Sequence, residues 1–109
     1  MSIDLNRIHH PEVKKAVTAW QNADKAAWYA LFTTDAKLYD DGDPRDFKRF
    51  VEEACGHERF TSIDQVNAEG TRLEGAFHTE QWGDFRTYFQ FHVGSEGRFD
   101  RLDIGQAGR

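Results

Sequence analysis

The sequence predicts an α+β domain: three N-terminal helices packed on one face of a curved antiparallel sheet. Three observations carry this expectation. Apolar residues recur at helical spacing up to Gly56 and at strand spacing after it. The strand-like segments are joined by short turns, which makes neighbours antiparallel. A chain of 109 residues suits one core, so residues 1–109 are read as a single domain.

Residues 1–8 read as a lead-in. From Pro11, the positions Val13, Ala16, Val17, Trp20 and Ala23 fall on one helical face, and Pro11 suits a first helical turn. Asp24 can cap a second helix with Trp28, Leu31 and Phe32 on its apolar side. Ala36–Asp40 has a short strand pattern, and Asp41, Gly42, Asp43 and Pro44 form a turn. Asp43, with Asp46 three residues on, resembles a capping box with Pro44 at the first helical position. The third helix turns Phe47, Phe50, Val51 and Ala54 inward and stops at Gly56. Residues 60–68, 71–82, 85–93 and 99–106 are rich in aromatic and β-branched residues and read as strands.

Composition narrows the function. Lys plus Arg is 14 and Asp plus Glu is 19, a net charge of -5. No basic stripe is present, which argues against nucleic acid as a partner. Mean hydropathy is -0.77. No apolar run approaches the roughly 18 residues of a membrane span, so no membrane partner is expected. The N-terminal residues lack an apolar signal region, and Cys55 is alone; both fit a reducing, cytoplasmic setting. Glu52, Glu53 and Glu58 surround Cys55 with the wrong sign for a nucleophilic thiol, so it reads as a core residue at a helix end. His9-His10 reads as an exposed cap. No His, Asp or Glu spacing suggests a metal centre, and no phosphate-binding glycine loop occurs, so neither metal nor cofactor is expected.

The Gly83-Asp84 dipeptide predicts a two-residue hairpin. Trp82 then faces Phe85, Glu80 faces Thr87, His78 faces Phe89, and Ala76 faces Phe91. Strand alternation puts this set on the inner side. His78 and Glu80 then sit among aromatics, where a low dielectric can tune them as an acid–base pair. Val66, Leu73, Phe77 and Tyr88 fall on the outer side. Such an apolar patch predicts sheet-to-sheet pairing of two copies, a homodimer.

Three segments carry a family resemblance: AVTAWQNAD followed by WYALFTTDAKLYDDG, the helix PRDFKRFVEEACG, and the closing FHVGSEGRFDRLDIGQ. In this order, over about residues 11–106, the chain resembles the nuclear transport factor 2-like superfamily, which includes ketosteroid isomerase and SnoaL-like proteins. The resemblance implies a cone-shaped sheet with a pocket beneath the helices, commonly in a dimer. It implies a proton-shuttling base at Asp40, where the strand beginning at Ala36 ends. The isomerase's two oxyanion donors fall on Ala16 and Phe89, which donate no hydrogen bond, so steroid isomerisation is not expected. The Asp-Arg-Asp set of the epoxide hydrolases is not carried over, because inner-face parity excludes most of Asp84, Arg86, Asp100, Arg101 and Asp103.

These readings converge on a SnoaL-like protein binding a small, mostly apolar ligand in the cone. The expected pocket walls are Trp20, Trp28, Phe32, Phe50, Trp82, Phe89, Phe91 and Leu102. The expected chemistry is proton transfer or water addition, with Asp40 or His78 as base and Glu80 assisting. The alternative is a non-catalytic dimerisation or accessory module whose own aromatics fill the pocket. A cavity of at least about 300 Å³ containing His78 is the discriminating feature.

Overall fold

A computed structural model describes residues 4–107. Helix α1 (Pro11–Gln21) begins as its sequence dictates. Pro11 occupies the first turn, and the His10 ring accepts from the Val13 amide at 3.3 Å. Its inner face buries Val13, Ala16, Val17, Ala19 and Trp20. Helix α2 (Lys25–Ala30) is capped by Asp24, which accepts from the Ala27 amide at 3.1 Å, and it buries Trp28.

Helix α3 (Phe47–Ala54) starts later than the sequence suggests. Its cap is Asp46, which accepts from the Arg49 amide at 2.9 Å. Asp43 and Pro44 instead lie in a short strand, β2 (Asp43–Arg45), folded back on β1 (Phe32–Asp40). Proline tolerates this place because β2 is an edge strand and needs no amide on its free side. Phe50, Val51 and Ala54 turn inward from α3, and Cys55 caps its end, 3% exposed.

The remaining strands are β3 (Glu58–Phe60), β4 (Gln65–Val66), β5 (Arg72–Thr79), β6 (Gly83–Val93) and β7 (Phe99–Gln106). They build one open sheet in the order β2-β1-β7-β6-β5-β3, with β4 also on β5. The sheet is mixed, not wholly antiparallel, because β1 runs parallel to β7. No hairpin joins these two strands, so their relative direction is free of the turn rule that governs the rest. The strand expected over residues 60–68 divides into β3 and β4, where the Ser62 backbone packs directly on Gly75.

The β5–β6 hairpin corrects the expected register. Glu80, Gln81 and Trp82 lie between the strands, Thr79 pairs with Gly83, and Gly83 has φ +77°. The Thr79 hydroxyl holds the turn: it accepts from the Trp82 amide at 2.7 Å and donates to the Gly83 carbonyl at 2.9 Å. Phe85 therefore faces Phe77, and Phe89 faces Leu73. The offset from the expected pairing is an odd number of residues, so β5 presents its other face to the core. Leu73, Phe77 and Thr79 are buried, at 0%, 3% and 2% exposure. Arg72, Glu74, Ala76 and His78 alternate onto the outer side.

The outer face is accordingly polar. Arg72 stacks 4.2 Å from the Tyr88 ring centre, and Arg101 stacks 4.0 Å from that of Tyr39. Asp103 accepts from Arg101 at 3.0 Å and bonds His92 at 2.6 Å. Of the four residues that motivated a sheet-to-sheet dimer, Leu73 and Phe77 lie in the core, which leaves Val66 and Tyr88 outside it.

The deep part of the cone is filled by the chain's own rings. Trp20 lies 4.9 Å from Trp28, Trp28 lies 4.9 Å from Phe32, and Phe91 lies 4.9 Å from Phe99. These are tilted contacts at the spacing aromatic pairs prefer.

Candidate functional site

Space remains at the open end of the cone, where β1 and β7 finish and β6 begins. The cavity there has a volume of about 670 Å³. Its floor is apolar: Phe50 from α3, Phe77 from β5, Phe85 and Phe89 from β6, and Ile104 from β7. Its border is polar: Asp40 and Asp41 at the end of β1, Arg45 on β2, Glu58 on β3, and Asp84 and Thr87 on β6.

The fold positions each polar group for a local reason. Asp40 ends β1 beside Ile104 of β7, and the Asp41 amide donates to the Ile104 carbonyl at 2.8 Å. Asp41 then turns the chain with φ +51°, a conformation aspartate tolerates better than most residues. The turn returns β2 along β1, which brings Arg45 back over Asp40. The Arg45 guanidinium donates to Asp40 Oδ2 at 2.8 Å and lies 5.0 Å from the Phe50 ring centre. The Thr87 hydroxyl is satisfied within the sheet, donating to the Gly105 carbonyl at 2.6 Å.

Glu58 enters by alternation, sharing a face with buried Phe60. It is half-buried. Burial pushes its carboxyl above the ordinary value of 4.5; the Arg45 charge opposes that rise and the Asp40 charge adds to it. Of the carboxyls at the site, Asp40 is ion-paired and Glu58 is partly desolvated, two unlike settings.

The expected site residues divide three ways. Asp40, Phe50 and Phe89 border the cavity. Trp82 reaches only its rim, 71% exposed in the hairpin turn. Trp20, Trp28, Phe32, Phe91 and Leu102 are core residues, each at most 3% exposed, and do not line the cavity. His78 is on the opposite face of the sheet, bonded to Asp84 at 2.6 Å. Glu80 is in the turn, 3.0 Å from the His57 ring nitrogen. Both corrections follow from the odd register offset. The cavity exceeds the discriminating size but lacks His78.

Arg45 and Glu58 were not anticipated. Extending the Phe60 strand two residues upstream puts Glu58 on the Phe60 face; the Arg45 position needs the β1–β2 return. Among the described residues, no group of three or more His, Cys, Asp or Glu could hold a metal ion, and no helix is long and apolar enough to cross a membrane.

No protein-family model matches the chain, and no curated protein is significantly similar to it. Solved structures are similar in shape. A candidate polyketide cyclase from Xanthomonas campestris pv. campestris superposes with TM-score 0.69 at 18% identity, over 95% of this chain and 93% of that one. A nuclear transport factor 2-like protein of unknown function from Cytophaga hutchinsonii gives TM-score 0.70 at 10% identity, over 98% and 93%. The fold is the nuclear transport factor 2-like cone. A candidate ketosteroid isomerase from Kribbella flavida shares it, with TM-score 0.72 at 14% identity over 91% of this chain and 77% of that one. In this nuclear transport factor 2-like cone, the cavity lies beside Phe50, Phe77 and Phe89, while Trp20, Trp28, Phe32, Phe91 and Phe99 are buried in the core.

Proposed function

We propose that this chain binds a small, mostly apolar molecule with one polar group at the open end of the cone, and that Asp40 acts there as a proton acceptor. The observation that carries this reading is the cavity itself. About 670 Å³ falls within the roughly 300–1,000 Å³ of small-molecule sites. Its aromatic floor suits an apolar body, and its ionisable border suits one polar end. Arg45 orients the Asp40 carboxylate by a charge-assisted hydrogen bond of 2.8 Å. That arrangement supports proton transfer to Asp40, or water addition with Asp40 drawing the proton from water. Two of the similar structures are named as candidate polyketide cyclase and ketosteroid isomerase, which agrees with a small organic ligand.

A second reading has its own observation. The packed rings Trp20, Trp28, Phe32, Phe91 and Phe99 fill the deep cone, as a non-catalytic accessory module requires. The open mouth favours the first reading.

The test is a ligand-observed NMR screen of small cyclic compounds, followed by amide mapping. Binders are expected to shift Thr87, Phe89 and Ile104. In any reaction then found, Asp40→Asn is expected to lower the rate by about 10²–10⁴ while binding persists. A screen in which no compound moves those amides refutes the reading.

A further inference from the structure

The charge around the cavity is uneven. Among the described residues, Asp40, Asp41, Glu58 and Asp84 border it, against Arg45 alone of the lysines and arginines. Two of these carboxylates are already engaged. Asp40 accepts from Arg45 at 2.8 Å, and Asp84 bonds His78 at 2.6 Å. Glu58 differs: among the described residues, no hydrogen bond reaches its half-buried carboxyl.

The apolar floor matters equally. The face of a phenyl ring carries partial negative charge and attracts cations, most strongly where water is excluded. The cavity already contains one such arrangement. Arg45 lies 5.0 Å from the Phe50 ring centre while bound to Asp40, so a carboxylate and a ring face together hold an organic cation. Glu58 and the rings of Phe77, Phe85 and Phe89 line the same cavity and supply the same two elements.

We propose that the cavity takes an organic cation, an ammonium group on a small apolar body, with Glu58 as its counter-ion. This rests on the reading of the cavity as a ligand site and names the polar group of that ligand. An anion meets like charge from Asp40, Asp41 and Asp84. A neutral molecule leaves the partly desolvated Glu58 carboxyl without a charged partner, the costly outcome for such a group. Among the described residues, the charged and titratable groups around Glu58 are Asp40 from β1, Arg45 from β2, Glu53 from α3, His57 just before its own strand, and Glu80 in the β5–β6 turn. Arg45 is held by Asp40, and His57 is 3.0 Å from Glu80, so neither is committed to Glu58.

A permanent cation prefers ionised Glu58. Its affinity should therefore fall as pH is lowered through the Glu58 midpoint and level off above it. A neutral ligand that accepts a hydrogen bond from protonated Glu58 gives the opposite slope.

The test compares benzyltrimethylammonium, benzyl alcohol and benzoate by calorimetry and amide shifts, in the native chain and in Glu58→Gln. The expected result is a preference of roughly ten-fold or more for the cation over the alcohol, with benzoate weakest. Glu58→Gln should remove that preference and the pH dependence of cation binding, yet keep the alcohol site. The proposal is overturned if the alcohol or benzoate binds as tightly as the cation, or if Glu58→Gln binds the cation as the native chain does. In those cases a ligand site remains and only its charge preference is wrong. If none of the three moves the cavity amides, the ligand-site reading falls with it.

Discussion

Arg45 closes over Asp40 across 2.8 Å, and this single bond ties the β1–β2 return to the mouth of the cone. Both side chains are more than a third exposed, at 44% and 37%. The pair is therefore expected to contribute little stability, about 0–1 kcal/mol. Its consequence is positional, and Arg45→Ala is expected to leave the denaturation midpoint nearly unchanged while loosening the Asp40 carboxylate. Side-chain NMR of Asp40 in the two proteins checks the second half; an unchanged Asp40 signal contradicts it.

The Glu58 setting makes a prediction about stability. Its folded-state pKa is raised above the ordinary 4.5, chiefly by burial. The native state thus holds this proton more tightly than the unfolded state does. Stability is expected to decline as pH rises from about that value through the raised midpoint, then to level off. Glu58→Gln removes this component. The stability difference between variant and native chain should grow over that window, as read by urea denaturation at successive pH values. A difference independent of pH counts against the burial of this carboxyl.

Asp64 acts in the opposite direction. Its hydrogen bond from Arg86, with one from Ser62, holds its pKa below the ordinary 3.8. Its contribution is present above that value and is lost as pH falls through the lowered midpoint. Asp64→Asn should flatten the acid limb of the stability profile; an acid limb identical to that of the native chain rejects this assignment.

The tryptophans separate cleanly. Trp28 is 0% exposed and touches Trp20, Phe32 and Phe91, so Trp28→Ala is expected to cost about 3–5 kcal/mol. Trp82 is 71% exposed, and Trp82→Ala should change stability by no more than about 0.5 kcal/mol. Denaturant titration of both variants measures the contrast. Equal losses are incompatible with the observed hairpin register.

Gly75 is packed under the Ser62 backbone, where an added Cβ collides with the Ser62 carbonyl. Neither strand segment can yield easily, because Ala76 accepts from the Thr61 amide at 2.8 Å and donates to the Ser62 hydroxyl at 3.1 Å. Gly75→Ala is expected to destabilise by about 1–3 kcal/mol, the range for overpacking, in thermal or urea unfolding. A neutral substitution shows that the Ser62 segment between β3 and β4 packs on Gly75 less tightly than described.

Much of the architecture was legible in the residues. Apolar stripes at helical spacing gave the three helices and the side each buries, but α3 begins at Phe47 behind Asp46 rather than at Pro44, and Phe32 opens β1 rather than extending α2. The glycine turns marked the later strands, and alternation in β6 and β7 correctly turned Phe89, Phe91, Leu102 and Ile104 inward. The site was less legible. Asp40 was reached by resemblance and borders the cavity. His78 and Glu80 were assigned from a two-residue turn that the chain does not make.

Local periodicity is written into consecutive residues, so the sequence by itself determined that helices come first and strands after, the course of β6 and β7, and the aromatic character of the core. Register and enclosure are not local. The Thr79 hydroxyl gripping both sides of the turn decided which face of β5 is inner. The return of β2 decided that Arg45 meets Asp40, and the meeting of β3 with that corner placed Glu58 at the same mouth. Only the tertiary structure could settle these, because a strand shifted by an odd number of residues keeps its pattern while exchanging every side chain between solvent and core.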